Sequence, residues 1–330
     1  MNRILIVRLG SLGDLIHTLP AVAALRRAHP AATIDWLIDA PHRELIELVP
    51  VVSSLVVLPD RTARAWLQVR RQLRGREYDV AIDFQGLLKS AALARLSGAR
   101  RVLGFDRASL REGTAAPFYT ERVAGGEGGH VIHKNLRLAG AAGAVSDGLE
   151  FPIASVTSIA GATIASASGG RYALINPGAA WPNKRWPPDR FGAVAEHLRR
   201  RHDLTPVILW GPGEQDVAEA VLAASNETAV IAPATRLPDL IAAARGARLM
   251  VSGDTGPLHI AAAVDAPVVA LFGPTDPRRN GPWREADISI ARHDACDCHY
   301  ERRCRRDDRG WCLASITAAD VIAAIDRRLQ

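Results

Sequence analysis

Ile4-Leu5-Ile6-Val7-Arg8-Leu9-Gly10-Ser11-Leu12-Gly13-Asp14-Leu15 reads as a short apolar strand that enters a glycine turn and passes straight into a helix. Strand, tight turn and helix in that order open a parallel α/β unit, because glycine lets the backbone turn sharply and come close to a ligand at a strand's carboxyl end. Working outward, the same alternation repeats. Strand patterns at Thr33–Ile38, Ser54–Leu58, Tyr78–Phe84 and Arg101–Phe105 are separated by helical patterns at Leu15–Arg27, Arg43–Val49, Ala63–Leu73 and Gly86–Leu96. This order predicts a mainly parallel sheet covered by helices on both faces.

From about Pro152 to Gly170 the composition shifts to Ala, Ser, Thr, Gly and Ile without charge or evident helix caps, which reads as an interdomain linker. A second alternating series follows. Its expected strands are Tyr172–Asn176, Pro206–Trp210, a short one near Ala229, Ala247–Val251 and Pro267–Phe272. Its expected helices are Pro188–Arg201, Glu214–Ala224, Pro238–Arg245, Gly256–Ala263 and a closing Thr317–Leu329 capped by Thr317 and Asp320. The expected organisation is therefore α/β, with a Rossmann-like domain over 1–155, a linker over 156–170 and a second Rossmann-like domain over 171–330. Two such domains are expected to face each other across a cleft at the carboxyl ends of their strands, where open α/β sheets bind ligands.

Composition narrows the function. The 330 residues suit two domains, and 48% hydrophobic with 23% charged residues is a globular composition. Apolar runs such as Ala261–Val264 and Pro267–Phe272 are far too short to span a bilayer, and the N-terminal Ile-Leu-Ile-Val run is cut by Arg8, so it reads as a strand rather than a secretory signal. A cytoplasmic location is expected. The net charge of +6 points to an anionic partner, with arginines at Arg70, Arg71, Arg74, Arg76, Arg199–Arg201 and between Arg302 and Arg309. Aromatic residues are only 5% of the chain, which disfavours nucleic acid, and such arginine runs also read as solvated helix faces.

Several loops carry chemistry. The first resembles a dinucleotide fingerprint, with Asp35 or Asp39 as the ribose acid, but Leu9 stands where the first glycine belongs. Asp14 reads either as a first-turn carboxylate favoured by the helix N-terminus or as a general base, with His17 one turn on. In the second series Lys184, on the loop after Asn176-Pro177-Gly178, suits a diphosphate leaving group or is a surface lysine. Ser252-Gly253-Asp254-Thr255-Gly256-Pro257-Leu258-His259 opens a helix whose first N–H groups can hold a phosphate, although Asp254 or Thr255 can equally serve as an N-cap. Glu214 follows the Trp210-Gly211-Pro212-Gly213 turn and can bind sugar hydroxyls or favour its helix start.

Four ordered stretches together resemble the ADP-heptose:lipopolysaccharide heptosyltransferase family of inverting GT-B glycosyltransferases. They are Gly10–Pro20, Asp83-Phe84-Gln85-Gly86-Leu87-Leu88-Lys89-Ser90, Lys184-Arg185-Trp186-Pro187 and Asp254–His259, and the resemblance covers nearly the whole chain. It is most like the member that adds the first heptose to Kdo. The resemblance implies an N-terminal acceptor domain and a C-terminal nucleotide-sugar domain, with Asp14 as the base that deprotonates the acceptor hydroxyl in a single in-line, inverting displacement. It further implies donor contacts by Lys184, Glu214, Asp254, Thr255, Gly256 and His259, and acceptor contacts by Ser11, His17, Lys89, Arg61 and Arg64. The donor would be ADP-L-glycero-β-D-manno-heptose and the acceptor a Kdo-bearing lipid A at the cytoplasmic face of the inner membrane. A relative using another heptose or a protein acceptor, a sugar-nucleotide epimerase and a non-catalytic nucleotide-binding regulator are the rival readings.

No cofactor is expected for catalysis, since lysine and a helix N-terminus can stabilise the leaving diphosphate. Cys296, Cys298, Cys304 and Cys312 form a C-x-C-x5-C-x7-C array that reads as a possible structural metal site, as in iron-holding relatives, or as reduced thiols.

Overall fold

In the computed structural model, residues 1–126, 128–306 and 311–330 are described, and the chain divides into two compact units, Met1–Ala154 and Ser155–Gln330. Arg309, the last arginine of the basic run noted above, lies outside the described residues.

The first unit contains strands β1 (Arg3–Val7), β2 (Thr33–Asp39), β3 (Ser54–Leu58), β4 (Val80–Asp83), β5 (Arg101–Phe105) and β6 (Glu121–Val123). Its helices are α1 (Leu12–Ile16), α2 (Leu19–Ala28), α3 (Arg43–Glu47), α4 (Ala63–Arg74), α5 (Leu88–Leu96) and α6 (Val131–Gly140). Among the described residues its strands form one six-stranded parallel sheet in the order β3-β2-β1-β4-β5-β6. That is the doubly wound order, whose ligand crevice opens between β1 and β4, where the direction of strand succession reverses. The apolar runs of β1 and β4 are buried throughout except for Arg3, as strands covered on both faces require. Helix α4 buries Ala65, Val69 and Leu73 at helical spacing, and Thr62 caps it by accepting from the Ala65 amide.

The second unit contains α7 (Ile159–Ala167), β7 (Tyr172–Asn176), α8 (Pro188–His202), β8 (Thr205–Ile208), α9 (Gln215–Ala224), β9 (Val230–Ile231) and α10 (Leu237–Gly246). It continues with β10 (Leu249–Gly253), α11 (Gly256–Ala263), β11 (Val268–Phe272), α12 (Pro277–Asn280), β12 (Ile288–Ala291), α13 (Trp311–Ala314) and α14 (Ala318–Arg328). Its parallel sheet runs β12-β11-β10-β7-β8-β9, so the equivalent crevice lies between β7 and β10. The buried Trp186 packs edge-on against Phe191, with ring centroids 4.9 Å apart, and donates its indole N–H to the Ile316 carbonyl at 2.9 Å. A buried indole N–H without such a partner would be costly, so this bond ties the loop before α8 to the segment leading into α14.

Several elements differ from the sequence expectation. The single helix expected over Leu15–Arg27 is broken after Ile16, because Pro20 has no N–H to donate to the Ile16 carbonyl; Thr18 becomes the N-cap residue of α2 and its hydroxyl donates to the Asp14 carbonyl at 2.8 Å. Helix α7 lies within the segment expected as the interdomain linker, where no helix cap was evident. Ser158 accepts from the Gly161 amide at 2.8 Å and donates to Asp239 at 2.6 Å, and α7 packs on α10. An Ala- and Ile-rich segment without charge is a competent helix once a neighbour covers it. The short β6 and β12 and helix α6 carry no strong sequence signal and were not expected. No helix among the described residues is long and apolar enough to cross a membrane.

Candidate functional site

In the first unit the residues of the opening loop converge after β1. Arg8 is 8% exposed; one of its nitrogens lies 2.6 Å from Asp14 Oδ1 and another donates to the Phe84 carbonyl. Asp14 Oδ2 accepts from the Ser11 hydroxyl at 3.0 Å and from the Ser11 amide at 3.3 Å, which forms a capping box at the start of α1. The carboxylate is therefore held from both sides while remaining 35% exposed. The two readings of Asp14 are compatible: the cap contacts set the orientation of a group that still meets solvent. Gly10 permits this turn, since a Cβ there would stand 2.6 Å from His42 Nε2.

The stretch Asp83–Ser90 braces the same loop. Asp83 is buried and accepts from Ser90 and Tyr119 hydroxyls at 2.8 Å each and from the Gln85 and Gly86 amides at 2.9 and 3.2 Å. Burial pushes its carboxyl above the usual carboxylate range, against the pull of those donors. Gln85 in turn accepts from the Leu9 amide at 2.8 Å. Lys89 lies in the first turn of α5, its ammonium pulled down from the usual lysine range by partial burial and by the charge of Arg61, with Asp39 and Glu112 opposing. Arg61 reaches Asp39 at 3.4 Å. Arg64 is exposed in the first turn of α4. His17 is not at the surface: it is 2% exposed and its ring meets His130 edge-on at 5.3 Å.

The dinucleotide alternative fails on Asp35. That carboxylate is 1% exposed and is taken up by Arg76 at 2.7 Å, Ser54 at 2.7 Å and Tyr78 at 2.8 Å, which makes it part of the sheet's interior.

In the second unit Asp254, directly after β10, is the hub. Its Oδ2 lies 2.5 Å from the Lys184 ammonium and accepts from the Thr275 hydroxyl at 2.6 Å, while its Oδ1 lies 3.0 Å from His259 Nε2. Burial alone would favour the neutral acid, but the His259 hydrogen bond and the Lys184 charge hold the carboxyl far below the usual range. Lys184 also sits over the Trp181 ring at 4.7 Å and donates to the Asp254 carbonyl at 3.2 Å. Thr255 occupies the N-cap position of α11 but makes no side-chain cap; its hydroxyl instead accepts from Asn176 Nδ2 at 3.0 Å and lies 3.2 Å from Ser252 Oγ. The N–H groups at Gly256 and beyond therefore open α11 without a side-chain cap, in the manner of an anion-binding helix start.

Glu214 belongs to the neighbouring loop and accepts from the Gly211 amide at 3.1 Å. It is packed so closely on Gly178 that a Cβ there would lie 2.0 Å from Glu214 Oε2. The Gly178 carbonyl accepts from the same Asn176 amide that reaches Thr255, so Glu214, Gly178, Asn176 and Thr255 form one connected edge of the β7–β10 crevice. Sequence reasoning singled out Lys184, Glu214, Asp254, Thr255, Gly256 and His259, and the fold gathers them on adjoining loops. It missed Arg8 and Thr275 as partners; their only signal was position, each at or just beyond a strand's carboxyl end.

The arrangement of the four cysteines gives the metal reading no support over that of reduced thiols. All four are free thiols, and Cys296, Cys298 and Cys312 are buried against one another with Cys304 alongside. Burial and the neighbouring Cys296 push the Cys312 thiol up to about 12. Among the described residues, the group that brings three donor atoms within 4.8 Å of one another is instead His197, His202 and Asp326.

The model of glycosyltransferase family 9 (heptosyltransferase) matches residues 66–308. The chain is 31% identical over 316 residues to lipopolysaccharide heptosyltransferase 1 of Pseudomonas aeruginosa, covering 92% of this chain and 87% of that protein. It is 29% identical over 336 residues to lipopolysaccharide heptosyltransferase 3 of Escherichia coli, covering 96% of each. Among solved structures it is similar to E. coli heptosyltransferase WaaC with ADP, at a TM-score of 0.76 and 25% identity over 99% of both chains. These likenesses match the GT-B class that the family resemblance implied and set aside the epimerase and the non-catalytic regulator. The chain belongs to glycosyltransferase family 9, the heptosyltransferases.

Proposed function

We propose that this enzyme moves a heptose from ADP-L-glycero-β-D-manno-heptose to Kdo of the lipopolysaccharide inner core, with inversion at the anomeric carbon. The observation that carries the reading is Asp14, a half-exposed carboxylate held in one orientation between Arg8 and Ser11 at the carboxyl end of the first strand. A base must be aimed before it is useful, and these contacts supply the aim. Asp14 accepts the proton of the Kdo hydroxyl as that oxygen bonds to the anomeric carbon; the bond from that carbon to the ADP oxygen breaks on the opposite face.

Negative charge then grows on the departing diphosphate. Lys184 and the uncapped start of α11 at Thr255 and Gly256 meet that charge, so the reaction proceeds without a divalent cation. Asp254 holds the Lys184 ammonium in place, His259 lines the donor pocket, and Glu214 holds donor hydroxyls. On the acceptor side Ser11, Lys89, Arg61 and Arg64 meet the carboxylates and phosphates of the glycolipid, with His17 supporting the loop from beneath. The net charge of +6 and the exposed Arg64, Arg71 and Arg74 of α4 suit a peripheral visit to the anionic cytoplasmic face of the inner membrane.

The 31% identity to a lipopolysaccharide heptosyltransferase 1, over 92% of the chain, supports Kdo as the acceptor, and the likeness to a heptosyltransferase 3 makes a heptose acceptor the competing outcome. Purified protein is given the ADP-heptose donor with Kdo-lipid A or with a heptose-bearing core, in the presence and absence of EDTA. Transfer to Kdo-lipid A that survives EDTA is expected. Transfer confined to the heptose-bearing core would refute the acceptor assignment, and transfer abolished by EDTA and restored by a divalent ion would refute the metal-independent step.

A further inference from the structure

Away from the loops just described, His197 and His202 lie on the last two turns of α8 and Asp326 on α14. Both imidazole Nε2 atoms stand 2.7 Å from the same oxygen, Asp326 Oδ1, and the ring centroids are 5.4 Å apart. The two histidine side chains are 20% exposed and Asp326 is 39% exposed, so the group is set into the helix packing with one side open to water. Helix α8 leaves the carboxyl end of β7 and returns to the amino end of β8, so the group lies at the opposite end of the sheet from Asp254. The transfer chemistry makes no use of it.

Two imidazole nitrogens and a carboxylate oxygen within 4.8 Å of one another are a donor set for a borderline divalent metal ion rather than for magnesium or calcium, which prefer oxygen throughout. We propose that His197, His202 and Asp326 form a structural site for such an ion, zinc(II) being its natural probe, with water completing the shell. Without an ion each Nε2–H donates to the Asp326 carboxylate, and binding moves that proton to Nδ1 so that the Nε2 lone pair faces the metal. In a tetrahedral shell with arms of about 2.05 Å, donors stand about 3.3 Å apart, so the two 2.7 Å contacts open by roughly 0.6 Å to admit the ion. Nearby arginines oppose a cation, but Arg200 is paired with Glu196, Arg328 with Asp287, and Arg171 and Arg199 with Asp203. Bound there, the ion clips the C-terminal helix to α8 across 129 residues of sequence.

The test is calorimetric titration of the EDTA-treated and dialysed full chain with zinc sulfate, with thermal unfolding of the same samples. Wild type, Asp326→Asn, His197→Gln/His202→Gln and Cys298→Ser/Cys304→Ser are compared, the last to separate thiol binding. The expected result is one ion bound by wild type and by the cysteine variant, at least tenfold weaker binding by Asp326→Asn and loss in the histidine variant. Zinc should raise the melting temperature only where it binds, and transfer activity should be unchanged by zinc. No binding to wild type, or binding that survives the histidine changes and disappears with the cysteine changes, overturns the assignment. Asp326→Asn is a conservative change, which keeps the test decisive if the double histidine variant folds poorly.

Discussion

The Lys184 ammonium lies 2.5 Å from Asp254 Oδ2, and the two side chains are only 14% and 4% exposed, so this is an ion pair largely withdrawn from water. Removing one partner of such a pair leaves the other charge buried and uncompensated. Asp254→Asn is therefore expected to cost about 3–5 kcal/mol of stability in the second unit and to weaken ADP binding. Denaturant unfolding and ADP titration measure the two effects.

The pH dependence of that stability has a definite sign. The Asp254 carboxyl is depressed in the folded state, so its contribution is fully present above the unfolded value of about 4 and is lost as pH falls below it. Unfolding measured from neutral pH down to about pH 3 should show a steeper acid loss in wild type than in Asp254→Asn. Parallel curves would show that Asp254 is not the depressed group.

Asp14→Asn keeps the size of the side chain but removes the proton acceptor. Transfer is expected to fall by about 10²–10⁴-fold while ADP affinity stays near wild type, because the donor loops belong to the other unit. Steady-state transfer rates with a parallel ADP titration check this, and a variant that transfers normally would remove Asp14 from the chemistry.

Gly178→Ala places a methyl group where Glu214 Oε2 now stands 2.0 Å away. Displacing that carboxylate is expected to cost about 1–3 kcal/mol and to weaken donor binding. In a Glu214→Ala background the same glycine change should be nearly neutral for stability, and a double-mutant cycle by thermal unfolding reads that difference.

Tyr119→Phe withdraws the hydroxyl that donates to Asp83 at 2.8 Å. Asp83 is fully buried, so losing one of its donors should cost about 1–3 kcal/mol in the first unit. Urea unfolding followed by near-UV circular dichroism measures it, and the start of α5, which Asp83 braces through Ser90, should become more open to limited proteolysis.

Much of the site was legible because its parts are local. Gly10–Asp14 and Asp254–Gly256 announce strand, turn and helix within a few residues, and Lys184 stands on a loop after a strand. The break before Pro20 was also written in the chain, as a missing N–H one turn after Ile16. Helix α7 was not, since a segment of Ala, Ser, Gly and Ile is ambiguous until α10 covers it. The clustering of four cysteines raised a metal site as one of two readings, whereas the three-donor group forms from residues whose spacing suggests nothing.

By itself the sequence determined two doubly wound units and the loops that bear their chemistry, because hydrophobic period and glycine or proline punctuation act over a few residues. Tertiary structure alone decided the distant partners: Asp254 for Lys184 across 70 positions, and Asp326 for His197 across 129. Parallel sheets return each strand beside one distant in sequence, so residues at their carboxyl ends meet through register and packing, and no local pattern encodes which of them will touch.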